Sequence, residues 1–166
     1  MTFSIVGRCP ETGQLGIAIS SSSIAVGARC PWVRAGVGAV ATQNITLPAL
    51  GPQILDLIEH EQLAPAAALD RALSANGWSQ YRQVTVIDGQ GQTACFTGKE
   101  ALGTHHAVRG EQCVAAGNLL AAPAVIDALA RGIRTGARPA RRSACWPRCT
   151  RRWRPAARRG RCIRPR

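Results

Sequence analysis

The sequence predicts an α+β protein. Its candidate strands fall in runs, broken by two helices and followed by a third, instead of alternating one for one with helices. That order argues against a parallel sheet with crossover helices. Turn signals separate the strands, and a proline stands at or near the start of each candidate helix.

Phe3–Gly7 and Leu15–Ser21 read as two strands joined by the turn Pro10-Glu11-Thr12-Gly13. The second alternates large and small side chains, which places the large ones on one face. Gly36–Thr42 is a third strand whose glycines and alanines imply tight packing. Pro52 suits the first turn of a helix over Gln53–Glu61, with Ile54, Leu55 and Ile58 on one face. Pro65 starts a second helix through Leu73, and Asn76-Gly77 stops it. Gln83–Ile87 and Gln92–Phe96 are strands joined across Asp88–Gly91. Val114–Asn118 is a further short strand, and Pro123–Arg131 a third helix with Val125, Ile126 and Leu129 inward.

Charge divides the chain near Gly132. All nine acidic residues lie at or before Asp127, and thirteen of the twenty arginines lie from Arg134 onward. Residues 1–133 carry seven Arg, one Lys and nine acids, a net of 8 − 9 = −1, whereas residues 134–166 carry +13. The whole-chain charge of +12 therefore does not describe the globular part. Nucleic-acid binding is expected at most nonspecifically, through the tail.

The tail reads as an out-of-frame translation. It consists mainly of Arg, Ala, Pro, Cys, Trp and Gly, which GC-rich codons encode, and it has no Lys. Arg142–Thr150 can be written in GC-rich codons and read again two bases later. The result is Glu-Arg-Leu-Leu-Ala-Ala-Leu-His, an amphipathic helical sequence. Such a tail has little to bury and repels itself, so disorder is expected from residue 134 onward. Cys145 and Cys149 resemble half of a zinc motif with no second half at suitable spacing.

The body of roughly 130 residues is long enough for one core. It shows no signal peptide and no stretch as long as a membrane span, so a cytoplasmic location and no membrane partner are expected. Cys9, Cys30, Cys95 and Cys113 are then expected to be reduced. His105-His106 with Cys113 lacks a matching carboxylate or second pair, so no metal is expected. Gly36-x-Gly38 lies within a strand and lacks the rest of a nucleotide fingerprint. The hydroxyls of Ser20–Ser23 have no general base beside them in sequence and read as a strand end.

Several stretches together resemble the bacterial domain-of-unknown-function family 1028, which is placed among N-terminal-nucleophile (Ntn) hydrolase folds. They are Met1–Val6, Pro10–Gly13, Ala25–Arg29, Pro31–Asn44, Tyr81–Gln83, Phe96–Gly98 and Gly117–Leu120. The resemblance runs to about Arg131. Family members continue with another helix and further strands, and the alternative frame of the tail looks like that helix. Cys9 stands where relatives often carry an acidic residue, so any role of that carboxylate is absent here.

The resemblance implies a four-layer αββα sandwich, C-terminally incomplete in this chain. It also implies a chemistry for Thr2. Trimming of Met1 would leave Thr2 with both a hydroxyl and a free α-amine, a nucleophile with its own base. Following the general Ntn layout, Gln43 and Asn44 are candidate oxyanion donors, and Asn118 is a candidate for orienting the amine or the substrate. Arg29 and Arg34 are candidate binders of a substrate carboxylate. Each has an ordinary alternative: a strand residue for Thr2, turn or loop hydrogen bonding for the three amides, and surface packing for the arginines.

The expected activity is hydrolysis of an amide bond in a small or peptide-like substrate, without cofactor, and compromised if the replaced C-terminus is needed. A non-catalytic binding module on the same fold is the alternative, and homo-oligomerisation is left open.

Overall fold

The computed structural model describes residues 1–136, with side chains through Gly132. The expectations for the Arg-rich tail, including its disorder and its cysteine spacing, lie beyond the described residues.

Among the described residues, eight strands and three α-helices follow in order: β1 (Thr2–Arg8), β2 (Leu15–Ser21), β3 (Pro31–Arg34), β4 (Gly38–Asn44), α1 (Leu50–His60), α2 (Pro65–Ser74), β5 (Arg82–Asp88), β6 (Thr93–Thr97), β7 (His106–Gly110), β8 (Cys113–Asn118) and α3 (Ala124–Gly136). Two antiparallel sheets result, ordered β2-β1-β8-β7 and β3-β4-β5-β6. The fold is thus α+β, as the order of elements predicted.

Three apolar clusters define four layers. Ile54, Leu55 and Ile58 of α1, with Leu69, Ala72 and Leu73 of α2, pack on Val40, Val84 and Val86. Ile126 and Ala130 of α3 pack on Ile5, Cys113 and Ala115 of the other sheet. Between the sheets lie Val6, Ala39, Ala41, Ile87 and Val114, joined by Leu15, Ile17 and Cys95. The layers therefore run helix, sheet, sheet, helix. Their order follows from the two-residue period of the strands, because both faces of the inner strands must find an apolar partner.

The differences from the sequence reading have local causes. β4 starts at Gly38, two residues later than expected, because Gly36 (φ +74°) forms the turn from β3. β3 itself was not foreseen: it has four residues and opens with proline, which weakens any strand signal. β7 was missed as well, since its apolar content is Ala107 and Val108 alone. α3 runs five residues past Arg131. Cys30, Cys95 and Cys113 are reduced, but Cys9 is disulfide-bonded, contrary to expectation.

Gly117 marks one close approach between layers. A Cβ there would lie 2.7 Å from Ile126 Cδ1, 2.8 Å from Leu120 Cδ2 and 3.0 Å from the Thr2 carbonyl oxygen. The two side-chain ends can shift, but the carbonyl cannot move without β1. Gly117→Ala is expected to cost about 1–3 kcal/mol through overpacking, read as a lower midpoint in urea unfolding with an unchanged slope.

Candidate active site

The space between the sheets changes character along the strands. Val6 belongs to the inter-sheet cluster, so Ser4 and Thr2, two and four residues earlier on β1, face the same layer. The same alternation places Asn118 of β8, Ser21 of β2, Gln43 of β4, Gln83 and Thr85 of β5, and Thr97 of β6 there. The layer is thus apolar at one end and polar at the other, and Thr2 stands at the polar end.

Backbone pairing puts Thr2 between Ser21 and Asn118, its register partners on the two neighbouring strands. The Thr2 and Ser21 hydroxyl oxygens lie 2.8 Å apart. Ser21 Oγ also accepts the Ser23 backbone N–H at 3.0 Å. Met1 caps this corner: its amino group donates to Ser22 Oγ at 3.0 Å, and its carbonyl accepts the Ser22 N–H at 3.0 Å.

Behind Thr2 lies a cluster of amides that joins the sheets. Gln83 Nε2 donates to the Gly117 carbonyl and to Thr97 Oγ1, both at 3.1 Å. A carbonyl can only accept, so this bond fixes the orientation of the Gln83 amide. Its Oε1 then receives Gln43 Nε2 at 2.7 Å and Asn118 Nδ2 at 3.1 Å. Gln43, Gln83 and Asn118 are 1%, 0% and 2% exposed. With its NH2 committed, Gln43 has Oε1 left over, and this oxygen has no partner among the described residues. Ser4 Oγ and Thr85 Oγ1, buried in the same layer, have none either. Three unspent polar atoms in one layer depart from the near-complete pairing usual in interiors.

The structure therefore brings together Thr2, Asn118 and Gln43 of the expected residues, and it adds Gln83, Ser21 and Thr97. Gln83 was passed over because Gln83-Val84-Thr85-Val86 looks like a strand with a wet face. The strand is in fact buried throughout, so its polar alternate residues point into the molecule. Ser21 was signalled by the Ser20–Ser23 tract, which was read as a strand end.

The other expected residues are placed differently. Asn44 (φ +72°) spans two loops: Nδ2 donates to the Tyr81 carbonyl, and Oδ1 accepts the Leu102 N–H at 3.3 Å. Arg29 lies near the Thr2 end and donates to the Ile24 carbonyl at 3.2 Å. Arg34 pairs in register with Gly38, while Gln43 pairs with Gln83. Five residues of extended strand separate Gly38 from Gln43, roughly 17 Å. Arg34 also meets Asp56 at 2.8 Å and Glu59 at 2.5 Å, and these carboxylates, Asp56 foremost, raise the pKa of its guanidinium further. The protein's own acids thus occupy the group expected to receive a substrate carboxylate.

Two other chemistries find less support. Burial pushes the Cys30 thiol up, against the opposing pull of Arg29 and Thr46, so it remains protonated near neutral pH and is a poor nucleophile. His106 Nε2 lies 3.3 Å from Asp127 Oδ1, and His105 Nδ1 lies 3.0 Å from the Gly103 carbonyl. Among the described residues, no three His, Cys, Asp or Glu side chains are grouped to hold a metal ion.

Comparison with known proteins agrees with this architecture. A crystal structure of a protein from Silicibacter pomeroyi, assigned to the DUF1028 family, is similar with TM-score 0.79 and 27% identity over 83% of this chain. This chain spans 61% of that one's length. No curated protein matches. The model of the DUF1028 family matches residues 2–142, some ten residues past the end of the resemblance read from the sequence. Matching most of its length, the chain belongs to this family of unknown function.

Proposed function

We propose that this polypeptide is an Ntn-type amide-bond hydrolase scaffold with Thr2 as nucleophile. The observation that carries the reading is the position of Thr2 Oγ1, at the polar end of the inter-sheet layer, 2.8 Å from Ser21 Oγ and in register with Asn118. Met1 is 46% exposed, so its removal is sterically open. Removal gives Thr2 an α-amine with a reference pKa of about 7.7–8.0, suited to take the hydroxyl proton near neutral pH. It also releases the Ser22 N–H and hydroxyl from Met1. Both then stand beside the new terminus, available to a substrate carbonyl or to the amine.

The steps follow from these groups. Thr2 Oγ1 attacks the amide carbon as its proton passes to the Thr2 amine. The amine returns that proton to the leaving nitrogen as the C–N bond breaks. Water, deprotonated by the same amine, then cleaves the resulting ester and regenerates Thr2. The buried amide cluster ties β8, the strand on which β1 pairs, to β5, so the nucleophile is preorganised.

The test combines intact mass with covalent labelling. Met1 should be absent from the purified chain, and a β-lactone electrophile should add once, at Thr2. Retention of Met1, or an adduct at another hydroxyl, would sink the proposal.

We also propose that residues from 134 onward arise from a change of frame. The absence of any acid or Lys there supports this, as does a composition drawn from residues that GC-rich codons encode. A frame-restored chain is expected to melt higher and stay soluble at higher concentration. Equal behaviour of the two chains would refute it.

A further inference from the structure

We infer that Asn76-Gly77 is a modification site, at which the backbone nitrogen of Gly77 displaces ammonia from the Asn76 side chain. The pair follows the end of α2, and the inference is independent of the hydrolase reading.

Attack of a backbone nitrogen on the preceding side chain has clear requirements. The attacking residue should lack a Cβ, its N–H should be open to solvent base, and the side chain must be able to turn back on its own backbone. Of the three asparagines, only Asn76 precedes glycine; Asn44 precedes Ile45 and Asn118 precedes Leu119. Gly77 is exposed, and a Cβ placed on it would meet nothing within 4 Å. Its carbonyl accepts from Arg82 at 3.1 Å, but its N–H has no hydrogen-bond partner among the described residues. Asn76 is half-buried, and its Oδ1 has no partner among those residues either.

Asp88-Gly89 has nearly the same shape and supplies the contrast, because an aspartate before glycine can close the same ring. Asp88 is buried, and its Oδ1 accepts the Gln90 and Gln92 N–H groups at 2.9 and 2.8 Å. The Gly89 N–H is spent on the Val37 carbonyl at 2.7 Å, and a Cβ there would lie 2.3 Å from the Gly36 carbonyl oxygen. Ring closure at Asp88 would therefore have to open the β5–β6 turn. The restraint at Asn76 is lighter: Nδ2 donates to the Ala72 carbonyl at 2.7 Å and to Gln53 Oε1 at 2.9 Å. Both bonds hold the group that must leave, so removing one should speed its departure.

The steps balance without any cofactor. The Gly77 N–H gives its proton to hydroxide as the nitrogen bonds to Asn76 Cγ. The Cγ–Nδ2 bond breaks, and the leaving nitrogen takes a proton from water and departs as ammonia. Water then opens the cyclic imide. Opening at Cγ leaves aspartate, and opening at the main-chain carbonyl leaves isoaspartate, with the chain routed through the side chain. Neither product can donate to Ala72 or Gln53, so the tie between α1 and α2 is lost. Each also places a negative charge at the carbonyl end of α2, where the helix dipole opposes it. Isoaspartate further lengthens the backbone ahead of Gly77, whose carbonyl Arg82 holds.

The test is storage of the purified full chain in mildly alkaline buffer, followed by tryptic digestion and mass spectrometry. The peptide Ala72–Arg82 should gain the mass of an NH2-to-OH exchange and accept methyl groups from an isoaspartyl methyltransferase. The peptide that carries Asp88 should accept none. Gly77→Ala should slow the change about tenfold or more, because a Cβ crowds the attacking nitrogen. That variant should fold, since Gly77 does not adopt a positive φ and the new Cβ enters open space. Gln53→Ala should speed the change about threefold, the effect of releasing one hydrogen bond. The modified fraction, separated by ion exchange, should melt below the unmodified one. Asn76 staying intact in the folded chain while the guanidinium-unfolded chain reacts would overturn the inference, as would equal rates in the parent and Gly77→Ala, or equal methylation at Asp88. A rate untouched by Gln53→Ala would overturn the restraint assigned to Gln53, and equal melting of the two fractions would overturn the loss of the α1–α2 tie.

Discussion

Thr2→Ala is expected to abolish turnover of a peptide-like amide, by about ten-thousand-fold, the scale on which loss of a nucleophile acts. Thr2→Ser should retain measurable activity, because it keeps a hydroxyl on the residue that bears the amine. Thr2 is half-buried with its hydroxyl paired only to Ser21, so neither variant removes a core contact and both should melt near the parent. This separates chemistry from folding. The pH profile supplies a second reading. The amine acts as base only when deprotonated, so the rate should rise as pH increases through its pKa, about 7.7–8.0 before the site perturbs it. A variant that retains Met1, for instance with Thr2→Lys to block trimming, should lack both activity and profile. Thr2→Ala turning over at the parent's rate would end the proposal.

Much of the fold was readable because its signals are local. Pro65 opens α2 at the position expected of it, and Asp88 closes the β5–β6 turn by accepting the Gln90 and Gln92 N–H groups at 2.9 and 2.8 Å. β7 and β3 were not readable, since short strands with weak alternation are defined by their neighbours in the sheet. The site shows the same division. Thr2 and Asn118 are candidates that the family resemblance implies, and register holds them side by side. Nothing in the sequence joins Gln83 to Asn118, which lies thirty-five positions away on the other sheet. Alternation points to a polar face at Gln83 and Thr85, but only the second sheet turns that face inward. Arg34 illustrates the converse: its chemistry was right for a carboxylate, and Asp56 and Glu59 one helix away supply it.

Gln83 also carries the largest expected effect on stability. All four hydrogen-bonding positions of its amide are filled, by Gln43, Asn118, Thr97 and Gly117. Gln83→Leu matches its size but leaves the Gly117 carbonyl and the Gln43 and Asn118 amides short of a buried partner. At about 1–3 kcal/mol for each orphaned group, the loss should reach about 3–5 kcal/mol, a large share of the ~5–15 kcal/mol that holds a domain. Gln83→Glu distinguishes polarity from volume. Its carboxylate can accept from Gln43 and Asn118 but faces the Gly117 carbonyl with no proton to donate. Protonation restores that donor, and burial with this hydrogen bond raises the carboxyl pKa above its unfolded value of about 4.3. The restored stability should therefore be fullest below the unfolded pKa and be lost as pH rises through the folded one. Relative to the parent at each pH, Gln83→Glu should gain in denaturant midpoint as the solution is acidified from neutrality, while Gln83→Leu should stay equally impaired. Parallel behaviour of the two variants would mean that the Gly117 bond does not set the orientation of this amide, and the assignment of Gln43 Oε1 as the unspent acceptor would fall with it.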